Sequence, residues 1–238
     1  MVKLAFARVW YGVCHNLFMV LPLEQSTMMK LLLLSDYLNV PEISSLLRTL
    51  TGKKKLTIGY ISSAPDPTRA YYRRAREYYA NLGAELTPYF DLESGFNEAS
   101  LTEILAAEAI HLAGGNTYQF YYWIVRRNLR RRLLSYAHSG RLIIGVSAGA
   151  IILTPNLSYA QFCGDRNEIG LKELAGLGLV NFAFVPHVSK ADKIVPAIVE
   201  RARQDRTGVV IADDRDWIVV DGSQTKVHGA PLIITSSI

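Results

Sequence analysis

From Lys30 onward the chain alternates short apolar runs with longer stretches in which apolar side chains return at helical spacing. Short apolar runs suit buried strands and the longer stretches suit helices laid across them, so the pattern predicts a parallel sheet with helical crossovers. Strands are expected over residues 31–34, 56–62, 85–90, 109–113, 142–145, 182–185, 209–212 and 217–220. Two of the helical stretches carry their own ends. Residues 69–82 follow the turn Ala64-Pro65-Asp66-Pro67 and stop at Gly83, and residues 117–138 stop at Gly140, glycine being the usual residue after a helix. Only Asp213 to Asp216 separate the last two runs, too few residues for a crossover helix, so an antiparallel hairpin is expected near the C-terminus. The fold class is α/β: three layers, with helices on both faces of a mostly parallel sheet.

Residues 1–27 stand outside this pattern. The segment 9–23 is apolar apart from His15 and Asn16 and follows Lys3 and Arg8, but it falls short of the roughly 18 uninterrupted apolar residues of a membrane span. No small-residue cleavage site precedes Glu24, which argues against a signal peptide. We expect an extension over 1–27 in front of a single domain over 28–238. With 238 residues, half of them hydrophobic and a fifth charged, the chain can bury a sizeable core and is not disordered as a whole. The net charge of +5 permits acidic partners without requiring them. Cys14 and Cys163 form neither a C-x-x-C pair nor a disulfide framework, as suits a reducing compartment, and a cytoplasmic location is expected.

Candidate chemistry concentrates at Gly145-Val146-Ser147-Ala148-Gly149-Ala150, where an apolar strand runs into G-x-S-x-G and a further apolar segment. Such a turn strains the serine and exposes its hydroxyl, and the flanking glycines let strand and helix approach closely. A serine hydroxyl needs a histidine base. His15 lies in the extension, His138 in the last turn of a helix, His228 in a terminal turn region, and His111 inside an apolar strand, where a hydrogen-bonded core histidine is expected. His187 follows the strand over 182–185 directly after Pro186, where an open sheet delivers residues into the crevice beyond its carboxyl edge. Gly114-Gly115-Asn116-Thr117 occupies the same kind of position. Its backbone N–H groups can receive a phosphate or a carbonyl oxyanion; the segment is not G-x-G-x-x-G and lacks the Lys-Ser/Thr of a P-loop, and the N–H groups of Gly114 and Gly115, with that of Ala148, would form an oxyanion hole.

For the acid that orients the histidine, Asp213 and Asp214 stand at a strand end, and Asp165 lies in the polar loop between serine and histidine. The rigid hairpin turn favours the pair. The basic segment 126–132 is interleaved with Trp123, Ile124, Leu129, Leu133 and Leu134 and reads as an amphipathic helix with a solvated basic face, not a nucleic-acid surface. Tyr71-Tyr72 and Tyr78-Tyr79 read as half-buried packing. With no H-e-x-x-H pattern, no C-x-x-C and no histidine pair at i, i+4, no metal site is expected, and no cofactor.

These stretches carry a resemblance. Residues 31–35, Ala113-Gly114-Gly115-Asn116-Thr117, the G-x-S-x-G turn, Gly176-Leu177-Gly178-Leu179-Val180 and Val185-Pro186-His187 are similar to the peptidase E (aspartyl dipeptidase) family of serine peptidases, which includes cyanophycinase, over about residues 29 to 222. The resemblance implies a class I glutamine amidotransferase-like fold, Ser147 as nucleophile, His187 as base, and the double-glycine turn at the oxyanion site. It places Asp214 first and Asp213 second as the acid, and Asp165 matches a recurring aspartate. It implies a small peptide substrate, with Asn116 and Lys193 on the substrate-binding side; Lys193 stands where peptidase E has an arginine-bearing helix. No nucleic-acid or membrane partner is expected. The sequence departs from the family at Ile151, where a polar residue is common, and at Val188, where an aromatic is frequent. An esterase or cyanophycinase-like hydrolase on the same triad, or a non-catalytic ligand-binding relative, stays open.

Overall fold

A computed structural model of the protein describes residues 28–40 and 42–235; the extension expected over 1–27 lies outside them. The strands are β1 (Lys30–Leu34), β2 (Leu56–Ile61), β3 (Ala84–Leu86), β4 (Ala109–Leu112), β5 (Leu142–Val146), β6 (Phe182–Val185), β7 (Gly208–Ile211), β8 (Trp217–Asp221), β9 (Gln224–His228) and β10 (Leu232–Ile234). The helices are α1 (Ile43–Thr51), α2 (Ala70–Asn81), α3 (Glu98–Ala106), α4 (Thr117–Arg126), α5 (Leu129–His138), α6 (Ala148–Ile152) and α7 (Val195–Asp205), with 3₁₀ turns at Tyr37–Asn39 and Leu157–Cys163. A seven-stranded sheet runs in the order β3-β2-β4-β5-β1-β8-β9. Its first five strands are parallel, and β8 and β9 are antiparallel to their neighbours. A smaller sheet has the order β10-β7-β6. Among the described residues no helix is long and apolar enough to cross a membrane.

The strands read as continuous apolar runs because both faces of the large sheet are covered. Along β1, Leu32 and Leu34 pack with Ile43 and Leu47 of α1 and Tyr72 and Tyr79 of α2. Leu31 and Leu33 face the other way, into a cluster with Leu101 of α3, Phe120 of α4, Leu133 of α5 and Ile152 of α6. Strand alternation thus splits one leucine run between two helical layers. The small sheet repeats the device: Phe184 and Val210 join the main core, while Val185 and Val209 pack against Ile198 and Ala202 of α7.

The expected α/β architecture with a C-terminal antiparallel hairpin is present, with four local corrections. The hairpin is made by β8 and β9, whereas β7, adjacent to β8 in sequence, belongs to the small sheet, so Asp213 to Asp216 bridge two sheets. The strand expected over 85–90 ends at Leu86. There Thr87 Oγ1 accepts the Tyr60 N–H at 3.0 Å and Pro88 has no N–H to offer a ladder. The single helix expected over 117–138 is two, because Asn128 turns left-handed at φ 55° between α4 and α5. His228 closes β9 rather than lying in a turn, its ring stacked on Trp217 at 5.0 Å.

Candidate active site

β5 ends at Val146 and α6 begins at Ala148, which leaves Ser147 alone to reverse the chain. It does so at φ 52° and ψ −111°, a conformation that costs a residue with a side chain about 1–3 kcal/mol. Its N–H donates to Leu34 O at 2.8 Å, and its carbonyl accepts from Ala150 and Ile151 at 2.9 and 3.1 Å, so the strain is held from both sides. The flanking glycines are sterically required. A Cβ on Gly145 would stand 2.7 Å from Ala150 Cα, and one on Gly149 would stand 2.2 Å from Leu112 O. Gly149→Ala is expected to cost about 2–3 kcal/mol through overpacking, read as a fall in Tm of roughly 4–12 °C. An unchanged Tm would mean that α6 can lift off β4.

Parallel register then places the glycine turn. Leu112 pairs with Gly145, and two residues further on Gly114 abuts the serine: a Cβ there would lie 3.3 Å from Ser147 Cβ. Gly115 has φ 134° and no room for a side chain, because its Cβ would fall 2.1 Å from Ser63 Oγ. Ser63 in turn donates to Gly114 O at 2.6 Å. Asn116 caps α4, accepting from Gln119 N at 3.0 Å and donating through Nδ2 to Arg166 O at 2.9 Å. Asp165 Oδ2 accepts the Thr117 N–H at 2.8 Å. Asn116 and Asp165 therefore fasten the start of α4 to the loop after Leu157–Cys163.

The histidine and its carboxylate arrive on the small sheet. Ala212 N donates to Val185 O at 2.9 Å and Val188 N to Ala212 O at 3.1 Å, and the chain bulges outward between them at His187, with φ 62°. The imidazole Nδ1 lies 2.5 Å from Asp214 Oδ1 and Nε2 lies 2.8 Å from Ser147 Oγ. A carboxylate can only accept, so Nδ1 carries the proton and Nε2 is left to accept the serine hydroxyl. The side chains of His187 and Asp214 are 41 % and 53 % exposed, so water competes for their hydrogen bond and its value lies in orientation.

Asp213 is directed elsewhere: its carboxylate accepts from Arg215 N at 2.8 Å and pairs with Arg215 Nη2 at 3.3 Å. The turn is organised by buried Asp216, which accepts from Asp213 N at 2.9 Å and Ala230 N at 2.6 Å. Desolvation pushes the carboxyl pKa of Asp216 up, and those backbone N–H groups oppose the shift. Ser35, also buried, donates to Ala212 O at 3.3 Å and ties the end of β1 to the end of β7.

The structure thus gathers Gly114, Gly115, Ala148, His187 and Asp214 around Ser147. It sets Asp213 and Asp165 to other partners, engages both ends of the Asn116 amide within the protein, and leaves Lys193 exposed just ahead of α7. Ser35, Ser63 and Asp216 escaped sequence reasoning. Each is a small polar residue beside an apolar run, but its partner is remote in sequence. His111 is buried, hydrogen-bonded to Tyr79 at 2.9 Å, and its pKa is driven down to about 3 by desolvation, so it stays neutral in the core. Cys163 donates to Pro186 O at 3.3 Å, and burial pushes its thiol up to about 12. Among the described residues no group of three or more metal-ligating side chains occurs.

A serine at a strand-to-helix turn, within hydrogen-bonding distance of a histidine at a neighbouring strand end, is an arrangement shared by serine hydrolases on α/β sheets. The chain belongs to peptidase family S51, whose model matches residues 31–228, and is a peptidase of the serine type by that membership. It is 30% identical over 179 residues to an uncharacterized peptidase of Pasteurella multocida, covering 71% of this chain and 84% of the relative. A protein of Nostoc sp. named peptidase E is 24% identical over 213 residues, 85% of this chain and 84% of its own. The crystal structure of a proposed peptidase E protein from Listeria monocytogenes superposes with a TM-score of 0.69 at 23% identity, covering 84% of this chain and 98% of that one, and so shares the fold.

Proposed function

We propose that this protein hydrolyses small peptides, favouring dipeptides with an N-terminal acidic residue, through Ser147, His187 and Asp214 and an acyl-enzyme. The observation that carries this reading is the continuous hydrogen-bonded line from Ser147 Oγ through both imidazole nitrogens to Asp214 Oδ1, at 2.8 and 2.5 Å. In the proposed reaction Ser147 Oγ attacks the scissile carbonyl while His187 Nε2 takes its proton, and Asp214 stabilises the resulting imidazolium. The developing oxyanion is received by the N–H groups of the Gly114-Gly115 turn and of Ala148. The imidazolium then protonates the leaving amine, an ester remains on Ser147, and a water activated by the same Nε2 releases the acid and restores the hydroxyl. The unit of activity is residues 28–238, acting in the cytoplasm.

A fluorophosphonate probe followed by peptide mapping tests the nucleophile, and a dipeptide library on the same protein tests the substrate class. Labelling at Ser147 with cleavage of peptides bearing an N-terminal acidic residue is the expected result. An unlabelled serine would indicate a ligand-binding relative, and hydrolysis of esters alone would indicate a different leaving group on the same machinery.

Reading of the acidic side chain is assigned to Lys193. An ammonium is a point charge, less selective for a carboxylate than a guanidinium fork. Measurable cleavage of peptides with neutral residues before the scissile bond is expected, and loss of the remaining acidic preference in Lys193→Met. A strict requirement for aspartate that survives Lys193→Met would assign the recognition to other groups.

A further inference from the structure

A second concentration of chemistry stands at the opposite end of β5. Arg130, Arg131 and Arg132 in the first turn of α5, with Arg141 directly before β5, line an open cleft of about 850 Å³ together with Leu105 and Val125. Among the described residues no acidic side chain lines it. Arg141 is fixed in place: its guanidinium lies 3.9 Å over the Tyr136 ring, Nη1 donates to Leu105 O at 2.5 Å and Nε to Ser139 Oγ at 3.1 Å. Arg130 donates through Nε to Tyr121 OH at 3.3 Å, and Arg131 is exposed. Arg132 pairs with Glu98 at 2.8 Å. Two further acids come near these side chains: Glu108 by Tyr136, its carboxylate accepting from Thr57 N at 2.7 Å, and Glu173 by Tyr121. Among the described residues, the guanidiniums of Arg130, Arg131 and Arg141 have no carboxylate partner on the cleft wall, and like charges gathered on one wall favour an anion between them.

We infer that this cleft binds a small, multiply phosphorylated anion. Arginine forks match phosphate oxygens two at a time, and a triphosphate carries the charge to meet three of them at once. The volume lies within the range of roughly 300–1,000 Å³ typical of small-molecule sites. Both a free polyphosphate and a nucleoside triphosphate supply this chemistry; Val125, 45 % exposed, and Leu105 form an apolar wall that only a nucleoside would use. Arg141 and Ser147 flank β5 on either side, so the cleft is roughly 20 Å from the serine at the rise of a strand. Occupancy is thus separable from the reaction proposed above.

Calorimetric titration of the full chain at about 0.1 M salt, with tripolyphosphate, ATP, citrate and a single-stranded RNA oligonucleotide, tests the inference. Tripolyphosphate and ATP are expected to bind at least 10-fold more tightly than citrate. The double variant Arg130→Gln with Arg131→Gln, and Arg131→Gln alone at its exposed position, are expected to weaken both by 10-fold or more and about 3-fold respectively, with probe labelling of Ser147 unchanged. ATP binding more tightly than tripolyphosphate identifies a nucleoside source; equal binding identifies the phosphate chain alone. Absence of binding, binding indifferent to the variants, or RNA bound over 10-fold more tightly than either phosphate would overturn the inference.

Discussion

Ser147→Ala and His187→Ala are each expected to lower peptide turnover by on the order of 10³ or more, and the double variant by little more than either alone. The reason is the geometry between them. At 2.8 Å the imidazole and the hydroxyl form one nucleophile, and neither half retains a function once the other is gone. Steady-state turnover of the three variants on a cleaved dipeptide decides the matter. Losses that multiply in the double variant would show two groups acting independently and would remove the unit from the mechanism.

Asp214→Asn is expected to leave the fold intact, since the side chain is half exposed, and to lower turnover by on the order of 10³ to 10⁴. With the carboxylate gone, nothing holds the proton on Nδ1, and the tautomer that presents a bare Nε2 to Ser147 is no longer fixed. Asp213→Asn should have a far smaller effect, because Asp213 faces Arg215. Asp165→Asn weakens the cap on α4 and should appear in Tm before it appears in turnover. If Asp165→Asn proves the damaging change and Asp214→Asn is silent, the carboxylate has been misassigned.

The features legible in the sequence are those written locally. An apolar run followed at once by a glycine pair, a G-x-S-x-G, a Pro-His or an Asp-Asp announces a strand end with something placed on it, and parallel strands carry such ends to one edge. The choice between Asp213 and Asp214 turns on side-chain direction within one short turn: Arg215 and Asp216, two and three residues on, engage the first of the two, and a run of adjacent charged residues does not say which of them will pair. The division into two sheets was equally hidden: β7 and β8 are neighbours in sequence, and their separation is decided by β6 and β1, which lie far off in the chain. Departures from the family pattern also have a physical place. Ile151 and Val188 are 1 % and 5 % exposed, so both fill the core behind the site. The break at Asn128 has no proline or glycine to mark it; its trace is a shift of phase, since buried Ile124 of α4 and buried Leu129 of α5 stand five residues apart.

The nucleophile and its base belong to different sheets: Ser147 rides on the seven-stranded one, His187 and Asp214 on the three-stranded one. In the proposed reaction, proton transfer therefore crosses a seam, pinned at its rim by the bond from Ser35 to Ala212 O and filled below by Ile152, Leu153, Phe184 and Val210. A slip of about 1 Å along it would cost on the order of 10² in rate without exposing much apolar surface to water. Substitutions in the seam, at residues that touch no substrate, would thus slow the enzyme far more than they destabilise it, and a screen for thermal stability would pass variants that a turnover assay rejects.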